Sequence, residues 1–160
     1  MAARDSTTTS RLPLYEDADQ AKLRTWVQMV AAFYRIQRRV VSRLAEKDVT
    51  LPQFDVLATL RFGEGATQQE LAQRLLVTKG NVCGVLDRLE RLGWVERRPD
   101  PNDGRANRLY LTPAGRRKVD AVLPEHDALI LDALRTLSAP DVKTLRRLLE
   151  DLATANEDPD

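Results

Sequence analysis

Residues 71–115 constrain the fold of this chain more than any other part, because the spacing of their apolar residues changes along the segment. Leu71 and Leu75 belong to a first helical pattern, and a second begins near Thr78. In the second pattern the apolar residues recur at three- and four-residue steps: Val82, Val85, Leu86, Leu89 and Leu92. After Gly93 the residues alternate as they do in strands. The segment therefore predicts helix, turn, helix, a two-stranded hairpin and the start of another helix.

The second helix carries small and polar residues on its outward face near the start. Gly80 and Gly84 lie there, and each costs about 1 kcal/mol of helix propensity relative to Ala. A helix that enters a DNA groove benefits from them, because missing side chains let the backbone approach base edges. We predict DNA contacts from the capping residue onward: Thr78, Lys79, Gly80, Asn81, Cys83 and Gly84. Two glycines tolerated on a solvated face are the alternative.

The hairpin after Gly93 is rich in arginine. Its loop, residues 99–107, consists of turn-forming and polar residues and is expected to project into solvent. Arg105 near the tip is placed to enter a narrow minor groove, while its neighbours hold phosphates. Asp103 either orients a nearby arginine by a charge-assisted hydrogen bond or serves only to form the turn. We predict DNA contacts for five residues of the hairpin: Arg97, Arg98, Asp103, Arg105 and Arg108.

These motifs resemble those of the MarR-type transcription regulators. Residues 103–108, DGRANR, match the D-x-R-x-x-R/K wing pattern of that family, and VLDRLE at 85–90 and LTPAG at 111–115 are also similar. The order of elements fits over residues 19–152. The resemblance implies a winged helix-turn-helix homodimer that binds palindromic operators, usually as a repressor released by a small ligand or by thiol oxidation. The chain departs from the pattern at Cys83, where the family more often has Thr or Ser.

Length and composition indicate a small, mainly helical protein. The chain has 160 residues, of which 42% are hydrophobic and 5% aromatic, so we expect one mainly α-helical domain. No apolar run reaches the roughly 18 residues of a membrane span, and residues 1–10 lack the apolar core of a signal peptide. We therefore expect a cytoplasmic protein without membrane partners. One Cys and one His are too few for an ordinary zinc site, and no phosphate-cradling glycine loop is present. We predict no metal, no cofactor and no enzymatic activity.

Charge is distributed unevenly along the chain. Residues 67–118 contain 11 Lys and Arg against 6 Asp and Glu, a net charge of +5. Residues 119–160 contain 4 against 10, a net charge of −6. A basic centre next to an acidic end is suited to phosphate binding through one lobe, because DNA repels the acidic part. The asymmetry favours double-stranded DNA as a partner, and a solvated charge mosaic is the alternative.

The segments that flank the DNA-binding lobe carry apolar stripes that one small lobe cannot cover. We divide the chain into a flexible arm (1–18), an N-terminal dimerisation helix (19–50), a winged helix-turn-helix lobe (51–115), C-terminal dimerisation helices (116–154) and a flexible tail (155–160). The stripe of the first helix is predicted to be buried and comprises Leu23, Trp26, Val27, Val30, Phe33, Tyr34, Val40, Val41 and Leu44. The last helix has Val142, Leu145, Leu148, Leu149 and Leu152 on its apolar side. We predict a homodimer whose recognition helices read half-sites about one DNA turn apart.

Two modes of regulation can be drawn from the residues. Candidates to line a cleft for an aromatic or phenolic acid are Trp26, Phe33, Tyr34, Arg38, Asp55 and His126. Their alternative role is structural, because aromatic residues and a lone His are common in cores. Cys83 lies one turn after Lys79, whose charge favours the thiolate, so a redox response is an alternative, and a small residue replacing Thr is the simpler explanation. A winged helix used only for protein contacts is the rival function, but it would not need Arg105 among further arginines.

Overall fold

A computed structural model describes residues 18–103 and 106–157, which form six helices and one two-stranded sheet. The helices are α1 (Ala18–Ala45), α2 (Leu51–Phe62), α3 (Gln68–Arg74), α4 (Lys79–Arg91), α5 (Pro113–Ala133) and α6 (Ala139–Ala155). The strands are β1 (Val95–Pro99) and β2 (Asn107–Leu111). The predicted class, mainly α with a small β-hairpin wing, is confirmed. The boundary between two compact units falls within α1, after Gln37. The predicted arm lies outside the described residues apart from Ala18.

Side-chain caps fix where four of the helices begin. Each capping oxygen accepts a hydrogen bond from the backbone N–H three residues further on, at Thr67, Thr78, Thr112 and Ser138. The caps of α3 and α6 are reciprocal, because Glu70 accepts from the N–H of Thr67 and Asp141 accepts from the N–H of Ser138. Such bonds satisfy backbone donors that the first turn of a helix leaves without partners. The helix start predicted near Thr78 is confirmed.

The core lies between α2, α3, α4, the hairpin and the beginning of α5. Its members include Val56, Leu57, Leu60, Leu71, Val82, Leu86, Leu89, Val95, Leu109, Leu111 and Val119. The apolar stripe predicted for the helix after Thr78, which is α4 and is called the recognition helix below, faces this core. The exception is Leu92, which follows α4 and is 45% exposed. The two strands pair antiparallel, with Val95 opposite Leu111 and Arg97 opposite Leu109. Burial of one face of α4 and one face of the hairpin in the same core fixes the two elements side by side.

The flanking helices leave most of their apolar stripes open. In α1, Val40 and Leu44 are buried, but six other predicted stripe residues are 45–60% exposed: Leu23, Trp26, Val27, Phe33, Tyr34 and Val41. Helix α6 has no buried residue, and its five apolar residues are 41–52% exposed. The described part of a single chain therefore leaves these six residues uncovered, as expected if a second copy covers them, and burial of the stripe in a homodimer stays a prediction. Both helices are amphipathic, and no helix in the described ranges is long and apolar enough to cross a membrane.

Gly115 forms the closest approach between α5 and the segment that enters the hairpin. A Cβ atom at this position would lie 1.8 Å from the backbone oxygen of Trp94. The hydroxyl group of Thr112 donates to the carbonyl of Gly93 at 2.6 Å and accepts from the N–H of Gly115 at 3.0 Å. The first turn of α5 therefore packs on backbone and leaves no room for a side chain.

We expect Gly115→Ala to lower the free energy of unfolding by about 1–3 kcal/mol, because Trp94 or the first turn of α5 must move. The same substitution at Gly84 is the matched control. A Cβ atom there meets nothing within 4 Å, so Gly84→Ala should raise the free energy of unfolding by about 0.5–1 kcal/mol. Urea unfolding followed by circular dichroism measures both changes. Equal stability of the two variants would contradict the packing at Gly115.

Candidate nucleic-acid interface

The first half of α4 presents small and polar residues to solvent. Thr78 caps the helix, and its hydroxyl oxygen accepts the N–H of Asn81 at 3.3 Å. The six residues predicted to contact DNA are all exposed: Thr78, Lys79, Gly80, Asn81, Cys83 and Gly84. A Cβ atom on either glycine meets nothing within 4 Å, so packing inside the described chain does not require glycine at these positions. The glycines instead leave the helix backbone accessible to a partner.

Gln68, at the start of α3, connects the supporting helix to this exposed surface. Its side-chain amide donates to the carbonyl of Lys79 at 3.4 Å and contacts the sulfur of Cys83 at 2.7 Å. The thiol of Cys83 is nevertheless exposed. Sequence reasoning did not single out Gln68, because a polar residue in the first turn of a helix usually faces water. Its position makes it the residue of α3 that steadies the exposed side of α4.

A buried carboxylate holds the base of the wing. Asp100 is 7% exposed, accepts the N–H of Asn102 at 2.8 Å and pairs with Nε of Arg108 at 2.7 Å. These contacts, the bond from Asn102 first among them, hold the pKa of Asp100 below its usual range. Arg108 also donates to the carbonyl of Gly65 at 2.9 Å, which connects the wing to the loop between α2 and α3. Arg108 is thus engaged inside the protein through part of its guanidinium.

Sequence reasoning missed Asp100 because a carboxylate between two prolines reads as an ordinary turn residue. The predicted orienting carboxylate was Asp103, whose backbone carbonyl accepts the N–H of Ala106 at 3.0 Å. The partner of Arg108 is Asp100. Arg105, the predicted minor-groove residue, lies outside the described residues together with Gly104, and its DNA contact stays a prediction.

The strand register separates the wing arginines onto two faces. Residues directly opposite each other share a face, and successive residues alternate between faces. Arg98 is opposite Arg108 on the outer face, whereas Arg97 is opposite the fully buried Leu109. The side chain of Arg98 is 60% exposed, and its guanidinium stacks on the ring of Tyr110 at 4.4 Å from the centroid. Its Nε also donates to a carboxylate oxygen of Glu96 at 2.9 Å. The outer face therefore presents Arg98, paired with Glu96 but exposed, where a phosphate can reach it.

Arg97 is held against the recognition helix. Its guanidinium lies 2.8 Å from a carboxylate oxygen of Asp87 and also pairs with Glu90, and its side chain is 21% exposed. A phosphate contact requires donors that point away from the protein. The DNA contact of Arg97 stays a prediction, but this geometry favours a role inside the protein.

The predicted ligand residues of the first compact unit are solvent-exposed aromatic side chains. The rings of Phe33 and Tyr34 meet edge to face with centroids 5.6 Å apart. Trp26 is 60% exposed. Ligand contact and packing in a core therefore both stay predictions for these three residues.

Of the predicted ligand residues of the second unit, His126 lines a small cavity. His126 stacks on Phe54 at 4.5 Å and lines a cavity of about 10 Å³, which holds about one water molecule. Burial raises the pKa of Asp55, and the charge of His126 opposes that rise. Arg38 is exposed. A larger open groove of about 720 Å³ contains none of the six predicted residues and is lined by Arg39, Ser42, Arg43, Glu46, Glu125, Ala128, Leu129 and Asp132.

The order of these elements defines a winged helix-turn-helix protein, with α3 and α4 as the helix-turn-helix and the hairpin as the wing. The sequence model of the MarR family matches residues 47–106. The multiple antibiotic resistance protein MarR of Salmonella typhimurium is 38% identical over 109 residues, which is 67% of this chain and 75% of that protein. This chain belongs to the MarR family. It is a DNA-binding transcription regulator and not an enzyme.

Further similarities extend over most of the chain. The HTH-type transcriptional regulator YkoM of Bacillus subtilis is 29% identical over 140 residues, which is 88% of this chain and 91% of that protein. The crystal structure of a mutant MarR from Escherichia coli complexed with operator DNA has a TM-score of 0.76 and 30% identity. That similarity covers 86% of this chain and 99% of the MarR chain. The likeness therefore includes the helices outside the region that the family model matches.

We expect Asp100→Asn to loosen the base of the wing, because a neutral amide pairs less strongly with Arg108 than a carboxylate does. Hydrogen exchange of the Asn102 amide should become faster in this variant. Asp19→Asn is the control, since the Asp19 side chain is 91% exposed at the start of α1. Unchanged exchange at Asn102 would show that the carboxylate does not organise the wing.

The same carboxylate predicts a pH dependence of stability. The folded pKa of Asp100 lies below its unfolded value of about 3.9, so the ionised form contributes stability that is present above that value. This contribution is lost as pH falls through the lower folded pKa. The wild-type chain should therefore be more resistant to thermal unfolding than Asp100→Asn at neutral pH, and the difference should shrink as the pH falls below about 3.9. A difference that is constant with pH would contradict this assignment.

Proposed function

We propose that this regulator is a homodimeric repressor that reads a palindromic operator with the start of α4 and the outer face of the wing. The observation that carries the proposal is the exposed surface at Lys79, Asn81 and the two glycines of α4, where the described residues leave room for a Cβ atom at both glycines. Arg98 on the outer face of the wing supplies a phosphate contact, and Arg105 is proposed to enter the minor groove. The net charge of +5 over residues 67–118 favours the approach of this lobe to DNA. A mutant MarR from Escherichia coli with this fold has been crystallised with operator DNA, which supports operator binding by the present chain.

The uncovered apolar faces of α1 and α6 support the homodimer. Five aliphatic side chains line one side of α6 and remain 41–52% exposed, and no residue of that helix is buried. A helix of this length gains little stability in water unless packing covers its apolar face. A second copy of the chain supplies an identical stripe, as a two-fold interface requires. The same axis places two copies of α4 on two half-sites of one duplex.

We expect the wild-type chain to sediment as a dimer at micromolar concentration and Leu145→Glu to shift it towards monomer, because a charge in the stripe must be desolvated on association. Arg146→Glu is the matched control, since Arg146 is 72% exposed and pairs with Glu150 outside the stripe. A wild-type monomer, or a Leu145→Glu variant as dimeric as the wild type, would refute the proposed interface.

We expect Asn81→Ala and Arg98→Ala to weaken DNA binding in different ways. Loss of a base-edge contact at Asn81 should reduce affinity for the operator by about 1–3 kcal/mol and leave affinity for random DNA nearly unchanged. Loss of a phosphate contact at Arg98 should weaken both. It should also flatten the slope of log affinity against log salt concentration by roughly one unit per subunit.

The measurement is fluorescence anisotropy on two duplexes across a salt series. One duplex is selected from a random pool by the wild-type protein, and the other is a shuffled sequence of the same composition. Arg146→Ala, which removes a positive charge from α6, controls for net charge. The assignment of a base contact to Asn81 and a phosphate contact to Arg98 fails if Asn81→Ala weakens binding to both duplexes equally and Arg98→Ala leaves the salt slope unchanged.

We propose that a small aromatic or phenolic acid relieves repression. The open groove of about 720 Å³ has the size of a small-molecule site. Arg39 and Arg43 in its lining pair with Asp132 and Glu46, and the carboxylate of a ligand would compete with these two for the guanidinium groups. Adding a hydroxybenzoate to the complex with the selected duplex should release the DNA. Cys83→Ser separates this route from a thiol response, because the variant should keep its response to hydroxybenzoate.

A reporter gene behind the selected duplex should be transcribed less when the protein is present.

A further inference from the structure

Arg97 is the only arginine of β1 whose side chain turns towards the recognition helix, and it pairs there with two carboxylates. We propose that Arg97 is a positioning residue, which holds the wing against α4 and does not contact DNA. The proposal rests on the DNA-reading surfaces proposed above. It adds the element that keeps those two surfaces at a fixed distance from each other.

The strand alternation decides which arginine is able to reach DNA. Leu109, opposite Arg97, is fully buried in the core beside α4, so the Arg97 side chain starts from the inner face of the hairpin. The neighbouring Arg98 starts from the outer face and is 60% exposed, compared with 21% for Arg97. Two adjacent arginines of one strand therefore have opposite environments. The guanidinium of Arg98 also pairs with Glu96 of its own strand, but it lies on the outer face and stays exposed, so it is the arginine of β1 that a phosphate can reach.

The carboxylates that Arg97 meets are unfavourable for α4 without it. Asp87 and Glu90 are three residues apart, so they lie on neighbouring positions of the helix surface, where like charges repel. Both lie in the second half of α4, where the helix dipole disfavours negative charge. They also belong to the lobe that approaches the phosphates of DNA. Arg97 offsets both charges with a single guanidinium.

The two ion pairs of Arg97 attach the wing to α4 at two points. One terminal nitrogen of Arg97 lies 2.8 Å from Asp87, and the other terminal nitrogen pairs with Glu90. A planar guanidinium bound through two nitrogens restricts rotation of the side chain, which a single lysine ammonium does not. The base-reading part of α4 and the phosphate-binding part of the wing must contact one duplex together. A fixed angle between them therefore favours the specific complex over loose binding.

The sharpest test removes the two carboxylates and keeps the arginine. The double substitution Asp87→Asn with Glu90→Gln deletes two negative charges from the DNA-binding lobe, so charge alone would strengthen binding to every duplex. One duplex is selected from a random pool by the wild-type protein. If Arg97 positions the wing, the affinity of the double variant for this duplex should fall by about tenfold. Affinity for a shuffled duplex of the same composition should stay the same or rise. The ratio of the two affinities is the readout.

A second comparison uses the two adjacent arginines. Arg97→Gln should lower the affinity for the selected duplex and leave the slope of log affinity against log salt unchanged, whereas Arg98→Gln should flatten that slope by roughly one unit per subunit. Combining Arg97→Gln with the double carboxylate substitution should add no further loss of discrimination, because the three side chains act as one unit. Arg97→Lys should restore part of the discrimination. Thermal unfolding of each variant checks that the folded protein is being compared.

Three results would overturn the proposal. If Arg97→Gln flattens the slope of log affinity against log salt as much as Arg98→Gln does, Arg97 contacts a phosphate. Equal discrimination by the wild-type protein and the double carboxylate variant would show that the ion pairs do not position the wing. If Arg97→Gln fails to fold, the double carboxylate variant, which alters side chains that are 59% and 31% exposed, still decides the question. If the wild-type protein selects no duplex from the random pool, the proposed reading of an operator is refuted together with the role of Arg97. The first two results, by contrast, refute only the role of Arg97.

Discussion

The burial of one face of α4 and one face of the hairpin in a shared core is the constraint on which the rest of the interface depends. Leu86 and Leu89 on the helix and Leu109 on β2 are fully buried, so rotation of either element would expose aliphatic surface to water. The periods of helix and strand then place the remaining side chains on outward faces. The polar start of α4 and the outer arginine of the wing are exposed because the inner residues are buried. The geometry that suits DNA is therefore a by-product of ordinary core packing.

The part of the fold that follows from local chemistry was predictable from the sequence. The helix starts at Thr67 and Ser138 followed from capping residues with a carboxylate three positions later, and the hairpin followed from alternation after Gly93. These features depend on residues close in the chain. The family resemblance then gave the class of protein from a few short motifs.

The roles of individual arginines were not predictable, because they depend on contacts between distant segments. The sequence places Arg97 and Arg98 side by side, and only the strand register shows that one faces Leu109 and the other faces solvent. Asp100 was overlooked for a related reason, since its partner Arg108 lies across the wing and its burial is invisible in a loop-like sequence. The stripe of α1 was expected to be buried, but periodicity shows only that a helix has an apolar face and does not show what covers it.

In the proposed homodimer, helix α6 ties the stability of this regulator to its own abundance. Its 17 residues bury no side chain within their own chain, so the helix has little besides its cap and its ion pairs to keep it ordered alone. When a second copy covers the stripe, mass action makes the folded fraction rise with the amount of protein present. Growth that dilutes the protein then lowers its occupancy of DNA and exposes the chain to proteases through the same step. A cell that stops making such a regulator would clear it faster than one in which each chain folds alone.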